Sequence, residues 1–250
     1  MLMFQPLQNV IPQCILLLGL FMVGHCFAAS KSAESVIVET ESRMADITHS
    51  PLTSPAVRTA FNAQVAQLHA TEQLTGQFEQ HKYIAVLSKP ISSQGNFSYQ
   101  RRGNDEQPKP FFMWQMTAPI KVAYFADGEH FYLEQNGQQR DIEPRKDPVL
   151  FGFLSVFVKV LGADFSEVEK QFEIFFEPAS NAAPSWQILL KPKNPLMTKT
   201  IEHLRLSGSA QVEQLIIREP NGDHTDIRFS HETPVSDICV KSSSESTPAP

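Results

Sequence analysis

Eight His, three Cys and a few short Ser/Asp/His clusters are the groups in this 250-residue chain that could hold a metal or carry acid–base and nucleophilic chemistry. Their spacing argues against each use. No His-x-x-x-His, His-Glu-x-x-His or Cys-His cluster occurs, and His69, His81, His130, His203, His224 and His231 are scattered among strand and turn segments, which suits surface or capping roles. Ser155, Ser207 and Ser209 lack the Gly-x-Ser-x-Gly turn that exposes a nucleophile, and a chain with 11 Gly has no Gly-rich phosphate loop. Asp223-His224-Thr225-Asp226 could be drawn as an acid–base cluster. Its place directly after Asn221-Gly222 makes it the flank of a hairpin turn instead. The expectation is a protein with no catalytic residues, no metal and no cofactor.

What remains unusual is apolar and aromatic. Phe alone contributes 18 residues, and Phe151, Phe153 and Phe157 share one short segment with Leu150, Leu154, Val156, Val158 and Leu161. Such a segment is either a buried core helix or a lid that covers an apolar cavity and exposes its Phe side chains when a lipid enters. Periodicity alone leaves both readings open.

The elements around this segment are mostly strands. From Leu74 to Leu133 the pattern has period two: Gly76, Phe78 and Gln80; Gly95, Phe97 and Tyr99; Phe112, Trp114 and Met116; Val122 and Tyr124; Phe131 and Leu133. Lys89-Pro90, Arg102-Gly103-Asn104-Asp105, Ala118-Pro119, Asp127-Gly128 and Asn136-Gly137 carry turn chemistry between them, which predicts a meander of hairpins. A helix is predicted from Ser54-Pro55 to about Ala70, with Val57, Phe61, Val65 and Leu68 on one face. The second, very apolar helix starts at Asp147-Pro148 and stops at Gly162. Further alternating runs follow at 172–176, 186–190, 201–206, 212–217 and 225–229. The fold class expected is mainly β: one curved antiparallel sheet, an incomplete barrel, with helices over its concave apolar face.

The first thirty residues contain no Lys, Arg, Asp or Glu, and their apolar run Ile15–Val23 is far shorter than the roughly 20 residues that span a bilayer. With Cys26 and Ala28 placed as small residues before a cleavage point, residues 1–28 read as an export signal. His25 beside Cys26 argues against lipid attachment there. Residues 29–54, rich in Ser, Thr and Glu, read as a flexible leader, 55–239 as one domain, and 240–250 as a frayed tail. Cys239 would be the cysteine left in the mature domain, so no internal disulfide is expected. A net charge of −6 and a pI near 5.8 lack the basic excess of a nucleic-acid binder.

The run Phe112-Met113-Trp114-Gln115-Met116-Thr117-Ala118-Pro119, followed by Asp127-Gly128 and Phe131-Tyr132, resembles the LolA family of periplasmic outer-membrane lipoprotein carriers. Gly76-Gln77-Phe78-Glu79-Gln80 and Ser93-Gln94-Gly95-Asn96-Phe97 upstream, and 186–193 and 221–225 downstream, fit the same family in the same order. The resemblance implies a helix-lidded half-barrel whose interior shelters acyl chains of a lipoprotein, or a related lipid, in transit from an inner-membrane donor complex to an outer-membrane acceptor. It also implies a periplasmic monomer that is not an enzyme. The ligand-binding residues expected are Phe78, Phe97, Trp114, Met116, Tyr124 and Leu133 of the sheet, with Leu150, Phe153, Leu154 and Phe157 of the lid. In the family an Arg-Pro dipeptide before the Phe-x-Trp run latches the lid through its guanidinium. Here Lys109-Pro110 stands at that place and Arg101-Arg102 lies before an acidic insertion, so the latch candidates are Arg102 and Lys109. Alternatives of other classes are a periplasmic lipid or lipoprotein sensor with the same fold, a carrier of another hydrophobic cargo, and a lipid hydrolase.

Overall fold

A computed structural model of the chain describes residues 50–101, 110–128, 130–181 and 183–232, all in the unit formed by 49–250. The period-two runs become strands of one antiparallel sheet. They are β1 (Ser50–Pro51), β2 (Gln73–Tyr83), β3 (Ile91–Arg101), β4 (Pro110–Ala118), β5 (Val122–Asp127), β6 (His130–Gln135), β7 (Gln138–Ile142), β8 (Phe172–Glu177), β9 (Trp186–Pro192), β10 (His203–Gly208), β11 (Val212–Arg218) and β12 (His224–His231). Across the sheet the order is β1-β8-β9-β10-β11-β12-β2-β3-β4-β5-β6-β7. Only two neighbours are not consecutive in the chain, β1 on β8 and β12 on β2. Among the described residues no pairing joins β7 to β1, so the sheet curls without closing. The architecture is mainly β with helices, an open barrel, as the patterning predicts.

Turn residues set the registers. Asn136 (φ 54°) and Gly137 (φ 74°) form the two-residue loop that puts Gln135 opposite Gln138, and Gly222 (φ 90°) turns β11 into β12. With registers fixed, inward side chains line up abreast. Leu74, Tyr99, Phe112, Ala126, Phe131 and Ile142 form one row across β2–β7. Phe97, Trp114, Tyr124 and Leu133 form the next, and Phe229, Phe78, Gly95, Met116 and Val122 the one after it.

In the last of these rows the register slips between Gln94 and Gly95, and a Cβ on Gly95 would lie 1.9 Å from the Gln115 carbonyl oxygen and 2.8 Å from the Phe78 ring. The bulge brings backbone against backbone, which only Gly allows. Gly95→Ala is expected to cost about 1–3 kcal/mol, read as a lower urea midpoint with an unchanged slope.

Three helices accompany the sheet: α1 (Pro55–His69), α2 (Pro148–Leu161) and α3 (Phe165–Gln171). Phe61 of α1 sets its ring edge-on against Phe165 of α3 and Phe176 of β8, each at 5.5 Å. A bidentate ion pair, Arg58 Nη1 and Nη2 to Glu169 at 3.0 and 2.8 Å, joins the same two helices. The guanidinium holds the Glu169 carboxyl below the usual carboxylate range. The expected four-residue face of α1 narrows on folding, since Phe61 and Leu68 are buried while Val57 and Val65 are only half covered.

Two further corrections concern boundaries and polarity. The end of the segment read as a leader is structured, with Ser50–Pro51 paired to β8 and Leu52 buried. Strand β7 and helix α3 were not expected. β7 reads Gln-Gln-Arg-Asp-Ile with four exposed residues, so an edge strand here carries no alternation to detect. The export signal, the tail, Cys239 and most of the leader lie outside the described residues. Among the described residues no helix is long and apolar enough to cross a membrane.

Candidate functional site

Helix α2 is the least polar element of the fold. Pro148 occupies its first turn, Gly162 ends it, and between them Ser155 and Lys159 are the only side chains able to hydrogen-bond. Asp147 does not cap it; its carboxylate instead accepts from Arg140 Nη1 at 2.8 Å and anchors the preceding loop. A helix this apolar must be largely covered, and α2 lies on the inward rows of the sheet with Phe151, Gly152, Ser155 and Lys159 on a half-exposed face.

Aromatic contacts define how it lies there. Phe157 points its edge at Phe112 (5.6 Å) and Trp114 (5.1 Å), and Trp114 stacks on Phe78 at 3.6 Å. Phe151 meets Phe131 edge-on at 5.0 Å, and Phe153 lies parallel to Phe157 at 5.6 Å. The ten residues expected to line the site (Phe78, Phe97, Trp114, Met116, Tyr124, Leu133, Leu150, Phe153, Leu154 and Phe157) are all buried, none more than 6% exposed. The sequence reading missed Phe112, Phe229, Leu204, Leu206 and Leu215, which belong to the same interior. Phe112 was legible from its own alternation with Trp114 and Met116; the other four lie on strands whose faces the sequence left unassigned.

Between α2 and strands β10–β11 remains a cavity of about 10 Å³, lined by Phe153, Val156, Phe157, Val160, Leu204, Leu206 and Leu215. That is about the room one water molecule needs, so an acyl chain at this place would displace side chains of α2. Of the two readings left open by periodicity, the packing seen here is that of a core helix.

Among the described residues, Arg101 fastens the C-terminal end of α2. Arg101 donates from Nη2 to the Gly162 carbonyl at 2.8 Å and from Nη1 to the His69 carbonyl at 2.7 Å, and Nη1 also lies 2.9 Å from His69 Nδ1. A single planar guanidinium therefore bridges the C-terminal ends of α2 and α1, where unpaired carbonyls and the negative dipole ends favour a cation. Beside it, a Cβ at Gly162 would fall 2.3 Å from the Tyr99 hydroxyl, so this corner admits no larger residue. The expected latch residues Arg102 and Lys109 lie outside the described residues. Position 101 was nonetheless legible, because the inward alternation of Gly95, Phe97 and Tyr99 continues to it.

At the other end the inner face turns polar. Gln80 and Lys82 follow Phe78 inward along β2, Thr225 stands opposite Lys82, and Glu219 reaches in from the end of β11. These are the buried polar side chains among the described residues, with exposures of 3%, 1%, 0% and 2%. Lys82 Nζ and the Glu219 carboxylate form an ion pair. Burial pushes the Glu219 carboxyl up, against the opposing pull of Lys82. Gln80 Oε1, Thr225 Oγ1 and Trp114 Nε1 have no hydrogen-bond partner among the described residues. Each such group costs about 1–3 kcal/mol to bury unpaired, and an apolar residue of the same size would avoid that cost.

No family model matches the chain, and no curated protein matches it. Among solved structures it is similar to a DUF1329 family protein from Desulfovibrio piger (9% identity, 73% of this chain and 95% of the other, TM-score 0.43). It is also similar to the Mycobacterium tuberculosis lipoprotein LppX (8%, 73% and 98%, TM-score 0.38) and to a LolA superfamily protein from Nitrosomonas europaea (7%, 68% and 90%, TM-score 0.35).

Proposed function

We propose that this protein is a non-enzymatic carrier that shelters acyl chains of a lipoprotein or related lipid between helix α2 and the aromatic face of the sheet. The observation that supports the reading is α2 itself. It is a helix with almost no polar surface, seated on Phe and Trp rings and fastened at its C-terminal end, among the described residues, by Arg101. If α2 lifts, its Phe side chains and the rings of Phe78, Phe112 and Trp114 become the two walls of an apolar slot.

The magnitudes fit reversible binding. Each methylene taken from water contributes about 0.8 kcal/mol, so about ten of them supply the roughly 8 kcal/mol of a micromolar complex before ordering costs. The unpartnered Trp114 Nε1 would find an acceptor in an ester or amide carbonyl at the root of such a chain. An export signal at residues 1–28 would send this carrier to the periplasm, where an exchange between an inner-membrane donor and an outer-membrane acceptor would load and empty it.

The test uses protein purified from the periplasm without detergent. Native mass spectrometry with solvent extraction is expected to find an acylated peptide or lipid at one per chain. Titration of delipidated protein with a fluorescent fatty acid is expected to show saturable micromolar binding with a change in tryptophan emission. Phe153→Glu, at the wall of the α2 cavity, is expected to lower that affinity at least tenfold. A protein that is empty as purified and takes up no acyl probe would overturn the reading.

A further inference from the structure

The polar end of the interior is not needed by a packed core, and neither of its unpartnered atoms is used by the acyl slot. We propose that Gln80, Thr225 and the Lys82–Glu219 pair form a headgroup subsite that takes a neutral, hydrogen-bond-donating group of the cargo, a hydroxyl or an amide N–H. This deepens the carrier reading and rests on it.

Position carries the first part of the inference. Gln80 lies next after Phe78 on the inward face of β2, and Phe78 is stacked on Trp114, the ring that Phe157 of α2 covers. In register, Gln80 is abreast of Ile227 and Leu215, and Lys82 is abreast of Thr225, Ile217 and Leu204. Leu215 and Leu204 line the small cavity under α2. The polar groups therefore adjoin the Phe78 wall of the slot and sit two or three strands along the same rows from the small cavity, roughly 10–15 Å at the usual strand spacing.

Chemistry carries the second. Gln80 Oε1 accepts only, and Thr225 Oγ1 both accepts and donates; both are buried and unpartnered. A donor from the cargo satisfies them. The Lys82–Glu219 pair is neutral as a unit, so a charged headgroup would find no counter-ion left over, whereas a neutral dipole is oriented by it. An amphiphile would then be held one way round, with its chain under α2 and its polar root at Gln80 and Thr225.

Three ligands with the same chain separate the outcomes: monooleoylglycerol, which brings hydroxyl donors; methyl oleate, which brings none; and oleate, which brings a charge. Affinities for the full chain are read by displacement of a bound fluorescent fatty acid. Monooleoylglycerol is expected to bind about tenfold tighter than methyl oleate or more, and oleate no tighter than the methyl ester. Thr225→Val and Gln80→Leu are each expected to shrink the monooleoylglycerol preference while leaving methyl oleate unchanged, and Thr225→Ser to keep it. Equal binding of monooleoylglycerol and methyl oleate by the wild type, oleate binding tightest, or a preference that survives both substitutions would overturn the subsite and leave the carrier reading standing. Failure of all three ligands to bind would overturn both.

Discussion

Lys82→Met is expected to destabilise the fold by about 3–5 kcal/mol, more than Gly95→Ala or Arg101→Ala, although it exchanges one long side chain for another of similar reach. The cause is what stays behind. Glu219 is 2% exposed and its partner is Lys82; without the ammonium, a carboxylate remains in an interior that cannot solvate it. Joining Glu219→Leu to Lys82→Met removes both charges, and the double variant is expected to return to within about 1 kcal/mol of the wild type or to exceed it. Urea denaturation of the three variants closes the cycle. A double variant as unstable as the single one would show that the pair supports the fold directly.

The same substitution has a pH signature. Burial, reinforced by nearby Asp223, already raises the Glu219 carboxyl above its ordinary value, and Lys82 opposes the rise. A carboxyl whose folded-state pKa exceeds its unfolded value keeps its proton to higher pH when folded. It therefore favours folding at low pH, and that advantage is lost as pH rises through the folded value. Removing Lys82 enlarges the rise. The deficit of Lys82→Met against the wild type is expected to be smaller at acid pH and to grow as pH rises, whereas a packing defect would be the same throughout.

Much of this architecture was legible because period-two alternation and turn chemistry are local signals. Phe78, Phe97, Trp114, Met116, Tyr124 and Leu133 announce an inward face, Asn136-Gly137 announces a hairpin, and the structure buries all six side chains. The polar cluster was illegible for the converse reason. Gln80 was read as part of the alternation, but Lys82 and Glu219 are 137 residues apart and look like surface charges until β12 pairs with β2 and joins them. Thr225 likewise read as part of a solvated turn, and register alone puts it opposite Lys82. Whether the interior holds a cavity or is filled was equally beyond periodicity, since it depends on how far Phe153 and Phe157 reach into the sheet.

Arg101→Ala is expected to loosen α2 more than it unfolds the protein. The guanidinium's bonds to the Gly162 and His69 carbonyls are charge-assisted but partly exposed, so their loss is expected to cost about 2–3 kcal/mol, concentrated at the helix ends they join. The aromatic contacts of Phe157 with Phe112 and Trp114 stay in place, so the closed state persists with a lower barrier to leaving it. Hydrogen exchange is then expected to rise in 148–161 and at the end of α1, with β9–β12 unchanged, and uptake of a fluorescent fatty acid to accelerate about tenfold or more. Arg101→Lys is expected to behave almost like Ala, because an ammonium on a flexible stem does not present two parallel donors to two separate helix ends. Exchange that rises equally across the sheet, or uptake that is unchanged, would mean that Arg101 braces the fold and that α2 opens by another route. Arg101 also interacts with the Tyr99 hydroxyl, so Tyr99→Phe serves as the control: uptake that Arg101→Ala accelerates and Tyr99→Phe does not is a change in opening.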